Sequence, residues 1–169
     1  MHTAARLYVE RQVETFGPFR SVVEIGSRDI NGEVRDLFGV PASYVGLDLA
    51  AGPGVDVVGH AGDYVPPEPV ECVVCCEVFE HTPEWPVLVE RAESWLEDHG
   101  VLIVTAAGPG RRPHSAIDGG WKLHPGEHYA NVDADQLASA MWSVGFASVI
   151  TDTAGRDVRA TAVKAKGWT

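Results

Sequence analysis

The chain alternates between short apolar runs and amphipathic segments, a pattern typical of α/β proteins. The apolar runs predict five strands, at residues 22–25, 44–49, 55–58, 71–76 and 101–105. The segments with helical periodicity predict helices within residues 1–18, from Gly32 to about Phe38, from Thr82-Pro83 to Gly100, and from Asp133 to Gly145. The run at 71–76 is apolar almost throughout, which indicates a strand buried on both faces of a sheet.

The C-terminal part of the chain adds two more apolar runs, at residues 147–153 and 159–165. They flank the short turn Ala154-Gly155-Arg156 and predict a β-hairpin. Strands that alternate with helices, followed by a hairpin, predict a sheet that is mostly parallel. No linker or internal repeat divides the sequence, so we expect residues 1–169 to form one domain.

Charge and composition narrow the classes of partner. The 169 residues carry a net charge of −11, which is unsuited to holding the backbone of a nucleic-acid polymer. No apolar run approaches the roughly 20 residues of a membrane span, and the N-terminus lacks the pattern of a signal peptide. Cys72, Cys75 and Cys76 fall in one predicted strand, which favours small buried residues over disulfides or a zinc site. We therefore expect a cytoplasmic protein that neither holds a nucleic-acid polymer nor spans a membrane.

A ligand site is predicted at the end of the first strand, where Glu24-Ile25-Gly26 leads through a glycine turn toward a helix. Glycine lets a ligand approach the backbone, and the free amides of a helix start favour an anionic group. Asp48 ends the second strand about 20 residues later, a spacing at which a carboxylate can bind both hydroxyls of a ribose. These strand ends predict a nucleotide-type cofactor site, with an ordinary βα turn as the alternative.

The order and spacing of five motifs resemble those of class I S-adenosylmethionine-dependent methyltransferases, in their small-molecule, type 11-like branch. The motifs are Glu24 to Gly26, Tyr44 to Asp48, Val55 to Val58, Cys75 to His81 with its Glu80-His81 pair, and Leu96 to Thr105. The match runs from residue 20 to residue 165. It implies an α/β fold with a Rossmann-like, seven-stranded, mostly parallel sheet, a C-terminal antiparallel hairpin, and helices on both faces.

The resemblance also implies S-adenosylmethionine as the cofactor. The parts of this cofactor would lie along the ends of the strands. Glu24 and Gly26 would shape the pocket for the methionine part, and Asp48 would hold the ribose. The predicted cofactor-binding residues are Glu24, Gly26, Ser27, Arg28, Asn31, Asp48, Leu49, His60, Ala61, Cys76 and Glu77. In this set, Leu49 and His60-Ala61 would lie against the adenine, and Cys76 and Glu77 along the methionine.

The sequence departs from the family pattern in two places. The first loop, residues 26–32, usually carries three glycines, but Arg28 and Ile30 stand where the second and third are expected. We expect Arg28, or the amides near Asn31, to hold the cofactor carboxylate instead. His60 stands where aspartate is usual, which weakens its assignment to the adenine.

Residues 108–132 have no clear periodicity, and irregular segments of this length are usually functional or mobile. We call them the acceptor-side loop, because we expect them to line the acceptor pocket. Methyl transfer to a hydroxyl needs a base, and His81 and His128 are the candidates. The loop offers further groups of this kind: His114, Asp118, His124, Glu127 and Tyr129. His81 could instead be a structural residue. No metal site is expected, although loop histidines with Asp118 or Glu127 are an alternative.

The sequence thus predicts methyl transfer from S-adenosylmethionine to a small-molecule O or N acceptor. A non-catalytic, scaffolding member of the same fold is one alternative. A nicotinamide dinucleotide oxidoreductase is another, which the absence of a G-x-G-x-x-G loop disfavours. The acceptor and the oligomeric state stay open, a homodimer being one possibility.

Overall fold

The computed structural model describes residues 3–167, and its strands form one seven-stranded sheet. The strands are β1 (Ser21–Ile25), β2 (Ser43–Asp48), β3 (Val57–Val58), β4 (Val70–Cys76), β5 (Leu96–Ala107), β6 (Phe146–Ala154) and β7 (Asp157–Lys164). Their order is β3-β2-β1-β4-β5-β7-β6. β1 to β5 run parallel, whereas β7 is antiparallel to both of its neighbours. This confirms the predicted sheet and its C-terminal hairpin.

Helices cover both faces of the sheet, as predicted. They are α1 (Thr3–Phe16), α2 (Trp85–Trp95) and α3 (Ala134–Ser143). Because neighbouring residues of a strand point to opposite faces, Val22 packs with α1 while Val23 packs with α2 and α3. Within residues 3–167, no helix combines the length and the apolar character needed to cross a bilayer.

The central strand β4 is buried on both faces, as its apolar run predicts. Cys75 packs in the cluster that contains α2 and α3, whereas Cys72 and Cys76 pack in the cluster that contains α1. The three cysteines are free and buried, and burial raises the pKa of each thiol. They are therefore neutral packing residues, as expected.

The helix predicted from Gly32 to Phe38 is wrong in extent. Only a 3₁₀ turn, Arg35–Phe38, forms there. The side chain of Asp29 accepts a hydrogen bond from the amide of Gly32 at 2.7 Å, so a side-chain turn takes the place of the first helical turn. Gly39, with φ of 67°, then reverses the chain.

The predicted end of the helix at Gly100 is also wrong. α2 ends at Trp95, and Leu96 already has extended backbone angles and pairs with Val70 of β4. β5 therefore begins well before the predicted apolar run, with a register shift next to β4. Pairing along the sheet overrides the helical periodicity of the sequence here.

The predicted start of the same helix, at Thr82-Pro83, is displaced as well. α2 begins at Trp85. The Thr82 hydroxyl accepts a hydrogen bond from the amide of Glu84 at 3.1 Å, which closes a separate turn ahead of the helix.

Candidate functional site

A cavity of about 750 Å³ opens at the carboxyl ends of β1, β2 and β4. This is where open α/β sheets bind ligands. Its wall contains every residue predicted to bind the cofactor, together with His81. His128 is exposed and does not belong to the wall, and only its backbone reaches the ring of His81.

The glycine turn at the end of β1 brings two strand ends close together. The amides of Gly26 and Ser27 both donate to the carbonyl of Leu47, at 2.8 and 2.9 Å. Gly26 has φ of 77°, and a Cβ there would lie 2.1 Å from a methyl carbon of Val78. Glycine is required at this position both for the backbone angle and for the contact with the chain that follows β4.

Asp48 presents its carboxylate to the cavity in a fixed orientation. One oxygen accepts from the amide of Arg28 at 3.2 Å, and the other accepts from the amide of Ala50 at 3.0 Å. Each carboxylate oxygen can accept a further hydrogen bond, so both stay able to bind a pair of hydroxyl groups. Leu49, whose side chain is 72% exposed, adds an apolar surface beside it.

Arg28 joins the first loop to the acceptor-side loop. Its guanidinium donates to the carbonyl oxygens of Ala116 and Ile117, at 3.1 and 3.2 Å. The Arg28 Nε and the Ser27 hydroxyl are buried without a hydrogen-bond partner among residues 3–167. Buried donors of this kind are expected to be satisfied by a ligand or by water, which fits a polar ligand in the cavity.

Glu24 is a buried carboxyl group in the same wall, only 4% exposed. Burial raises its pKa to about 7, while a hydrogen bond from the Tyr44 hydroxyl and the charge of Arg35 act in the opposite direction. The Tyr44 hydroxyl lies 2.8 Å from the carboxylate, and the Arg35 guanidinium lies over the Tyr44 ring at 4.5 Å. Glu24, Tyr44 and Arg35 therefore form one network, in which the Glu24 carboxylate accepts a hydrogen bond from the protein.

His60 shapes the far side of the cavity. Its Nδ1 accepts the amide of Gly62 at 3.1 Å and so caps the 3₁₀ turn Ala61–Asp63, while its Nε2 lies 3.3 Å from the carboxylate of Glu84. Ala61 is buried at the start of this turn. Where the family has aspartate, His60 thus performs the capping that an aspartate side chain could also provide.

Glu77 stands at the end of β4 with an unusual backbone. Its φ of 58° lies in the left-handed region, which is rare for glutamate and frequent at functional sites. The Thr105 hydroxyl donates to its carboxylate at 3.0 Å, and the guanidinium of Arg111 lies 3.8 Å away. Arg111 also forms an ion pair with Asp157 at the start of β7. These contacts fix the direction of the Glu77 side chain.

Beyond Glu77, the structure brings together Glu80, His81 and His114. Glu80 is fully buried, and burial followed by the negative charge of Glu77 raises its pKa above the ordinary value. Burial, followed by the nearby His114, lowers the pKa of His81 to about 4. The two imidazole rings lie 4.9 Å apart, and His114 Nε2 is 3.9 Å from a Glu80 oxygen. Glu80 was missing from the predicted site residues, although the Glu80-His81 pair was a signal for it.

The acceptor-side loop is held together by Glu127. Its carboxylate accepts from the Ser115 hydroxyl at 2.9 Å and from the amides of Ala116 and His124 at 2.8 and 2.5 Å. Burial opposes ionisation, but these hydrogen bonds prevail and lower the pKa of Glu127. Asp118 in turn lies 3.0 Å from the ring of His124. Asp118 and Glu127, the alternative metal ligands of the sequence interpretation, are thus engaged in building the loop.

Seven residues of the acceptor-side loop contribute to the cavity wall. They are Arg111, His114, Ser115, Ala116, Ile117, Gly119 and Trp121. Of these, only His114 had been proposed from the sequence as a proton-transfer group. Nothing in the sequence pattern marks the other six residues as proton-transfer groups.

A family model described as "Methyltransferase domain" matches residues 1–151 of this chain. No functionally curated protein is similar enough to match. Among solved structures, the DhpI complex with S-adenosylhomocysteine has 17% sequence identity and a TM-score of 0.72, over 96% of this chain and 84% of DhpI.

Two other solved structures share the fold. The 1,6-didemethyltoxoflavin-N1-methyltransferase of Burkholderia thailandensis, bound to 1,6-didemethyltoxoflavin and S-adenosylhomocysteine, has 15% identity and a TM-score of 0.72, over 96% of this chain and 77% of its own. Human N-acetylserotonin methyltransferase in complex with SAM has 14% identity and a TM-score of 0.62, over 93% of this chain and 52% of its own. At these identities the likeness concerns the fold.

Proposed function

Because the chain belongs to the family of methyltransferase domains, we propose that it transfers a methyl group from S-adenosylmethionine to an oxygen or nitrogen atom of a small molecule. The observation that carries the proposal is the fixed carboxylate of Asp48 beside the exposed Leu49, inside the cavity formed by the strand ends. The two hydroxyls of a ribose can donate to such a carboxylate, and the ring of an adenine can pack on such an apolar surface.

The residues present fit S-adenosylmethionine at its polar end too. Its ammonium group would be favoured by the buried carboxyl of Glu24, and its carboxylate by the buried donors of Ser27 and Arg28. When bound, the cofactor supplies an electrophilic methyl group on a sulfonium. The protein then has to bind and orient the cofactor and the acceptor and to exclude water, since positioning accounts for much of the rate of such a displacement.

The acceptor end of the cavity is formed by the acceptor-side loop and by His81. With its pKa lowered to about 4, the His81 imidazole is neutral near pH 7 and offers a lone pair. The same low pKa makes it a weak proton acceptor, because the most effective bases have pKa values near the working pH. Binding or orienting the acceptor is therefore a better role for His81 than general-base catalysis. His128 has no part in the proposal, because its side chain lies outside the cavity wall.

The proposal is tested by incubating the protein with isotopically labelled S-adenosylmethionine and a panel of small hydroxyl and amine acceptors. We expect label to appear in at least one acceptor together with an equal amount of S-adenosylhomocysteine. The Asp48→Ala variant should lose this activity, while variation of the exposed Asp63, which lies outside the cavity wall, should not. Tight cofactor binding without transfer to any acceptor would favour the non-catalytic alternative, and binding of NAD instead would refute the proposal.

A further inference from the structure

We infer that Glu80, His81 and His114 form a binding site for one divalent transition-metal ion at the acceptor end of the cavity. One ligand atom from each residue lies within 4.8 Å of the others. Two donors bound to one ion at about 2.1 Å are at most about 4.2 Å apart, so binding requires only a small contraction of the three side chains. Two imidazoles and one carboxylate are a common donor set for ions such as Zn²⁺, Fe²⁺ and Co²⁺.

The hydrogen bonding of Glu80 supports a ligand at this point. Its side chain is 0% exposed, and neither carboxylate oxygen has a hydrogen-bond partner among residues 3–167. The amides of Glu80 and Ala107 are near enough to favour the ionised form, but they do not complete its hydrogen bonding. Buried carboxylates are normally paired, hydrogen-bonded or bound to a metal. The nearby His114 Nε2, at 3.9 Å, supplies a second potential ligand.

Both histidines are oriented in the way that metal-binding histidines are. The Nδ1 of His114 lies 3.3 Å from the carbonyl oxygen of Arg112, a contact that favours the tautomer with a lone pair on Nε2, the atom facing Glu80. The ring of His81 is hydrogen-bonded to the backbone of His128, and its Nδ1 is buried without a partner. In metal sites, a backbone carbonyl typically binds one ring nitrogen and thereby directs the other to the metal.

The location of the site indicates how the ion would be used. His81 and His114 both belong to the cavity wall, so an ion bound between them would face the cavity with positions left for further ligands. This use rests on the proposed function: the ion would bind an oxygen of the acceptor, lower the pKa of that hydroxyl, and hold it toward the methyl donor. The proton released from that hydroxyl would pass to water in the cavity, and the new bond from its oxygen to the methyl carbon would form as the bond from the methyl carbon to the sulfonium sulfur breaks.

The test begins with metal-free protein titrated with Co²⁺ and, separately, Zn²⁺, by calorimetry and by the visible absorption of bound Co²⁺. We expect one equivalent to bind. Glu80→Gln and His114→Asn should each weaken binding by more than the roughly 10–100-fold that is typical of changing a residue behind the ligands. His124→Asn is the matched control, because His124 is another loop histidine beside a carboxylate, that of Asp118. It should change affinity less than about threefold.

Two results would overturn the inference: no stoichiometric binding to the unmodified chain, or equal binding by the ligand variants and the parent. If a variant does not fold, nuclear magnetic resonance of the unmodified chain decides, since Co²⁺ should broaden the imidazole signals of His81 and His114 before those of His60. Titration with S-adenosylhomocysteine separates the two proposals. Cofactor binding without metal binding would refute only the metal site, and metal binding without cofactor binding would refute only the proposed function.

Discussion

Two carboxyl groups, those of Glu24 and Glu80, are buried, and they are satisfied differently. On β1, Glu24 accepts a hydrogen bond from Tyr44, whose ring is covered by Arg35. After β4, Glu80 has no hydrogen-bond partner among residues 3–167. A side-chain hydrogen bond offsets part of the cost of burial at the first site, whereas at the second only nearby amides and the charge of Arg111 favour the ionised form, without a completed hydrogen bond. We therefore propose that protein side chains hold Glu24 in place for the cofactor, whereas the carboxylate of Glu80 is completed by a bound ion.

The largest expected effect concerns the protonation of Glu24. Its pKa of about 7 in the folded chain is above its ordinary value of 4.5, so the folded state binds the proton more tightly. The resulting stability is fully present below pH 4.5 and is lost as the pH rises to about 7. The loss is on the order of 3 kcal/mol, from 1.36 kcal/mol for each unit of pKa difference.

This effect is measured by urea unfolding of the parent and of Glu24→Gln from about pH 4.5 to about pH 8. The difference in unfolding free energy should move by about that amount in favour of the glutamine variant as the pH rises. Glu14→Gln, a change on the exposed surface of α1, should give a constant difference. A constant difference for Glu24→Gln as well would show that burial does not control this group.

The next effect concerns the ribose site. Asp48→Ala removes a carboxylate expected to accept two hydrogen bonds from the cofactor, so we expect S-adenosylhomocysteine to bind roughly 30–100-fold more weakly, or about 2–3 kcal/mol. Calorimetry measures this, with Asp63→Ala as the control outside the cavity. Unchanged affinity in Asp48→Ala would place the ribose elsewhere. Since Asp48 also accepts two amide hydrogen bonds, the thermal stability of the variant should be recorded in parallel.

A smaller effect is expected in the acceptor-side loop, where the side chain of Glu127 accepts hydrogen bonds from several loop groups. Glu127→Ala leaves the amides of Ala116 and His124 without their acceptor. We expect these amides to exchange with deuterium about 10-fold faster or more, corresponding to roughly 1–2 kcal/mol of lost protection. The amides of Gly26 and Ser27, held by Leu47, should exchange as before. Equal acceleration in both loops would show that they open as one unit.

The smallest expected effect comes from removing the hydrogen bond that the Tyr44 hydroxyl donates to Glu24. Tyr44→Phe removes the hydrogen bond to the Glu24 carboxylate, which should raise the pKa of Glu24 further and destabilise the fold near pH 7 by about 1 kcal/mol. The pKa is read from the carboxyl resonance of Glu24 during a pH titration. A fall in that pKa would mean that Tyr44 does not stabilise the ionised form.

The fold could be predicted largely from the sequence, because buried strands and the terminal hairpin depend on local apolar patterning. The gathering of the predicted cofactor-binding residues around one cavity follows from the fold, since the strand ends that carry Gly26 and Asp48 meet at one edge of such a sheet. The shortened helix after β1 could not be foreseen, because the hydrogen bond from Gly32 to the Asp29 side chain competes with helical periodicity. Glu80 was not predicted as a site residue for a different reason. The lack of hydrogen-bond partners for its carboxylate among residues 3–167 depends on the tertiary structure, which no local sequence pattern encodes.

The most direct test is a crystal structure of the chain with bound S-adenosylhomocysteine. The account predicts that the ribose hydroxyls are hydrogen-bonded to the carboxylate of Asp48 and that the adenine lies beside Leu49. The sulfur should point toward the end of the cavity where His81 and His114 stand. A ribose bound away from Asp48, or a sulfur directed toward His60, would contradict the assignment of the two ends.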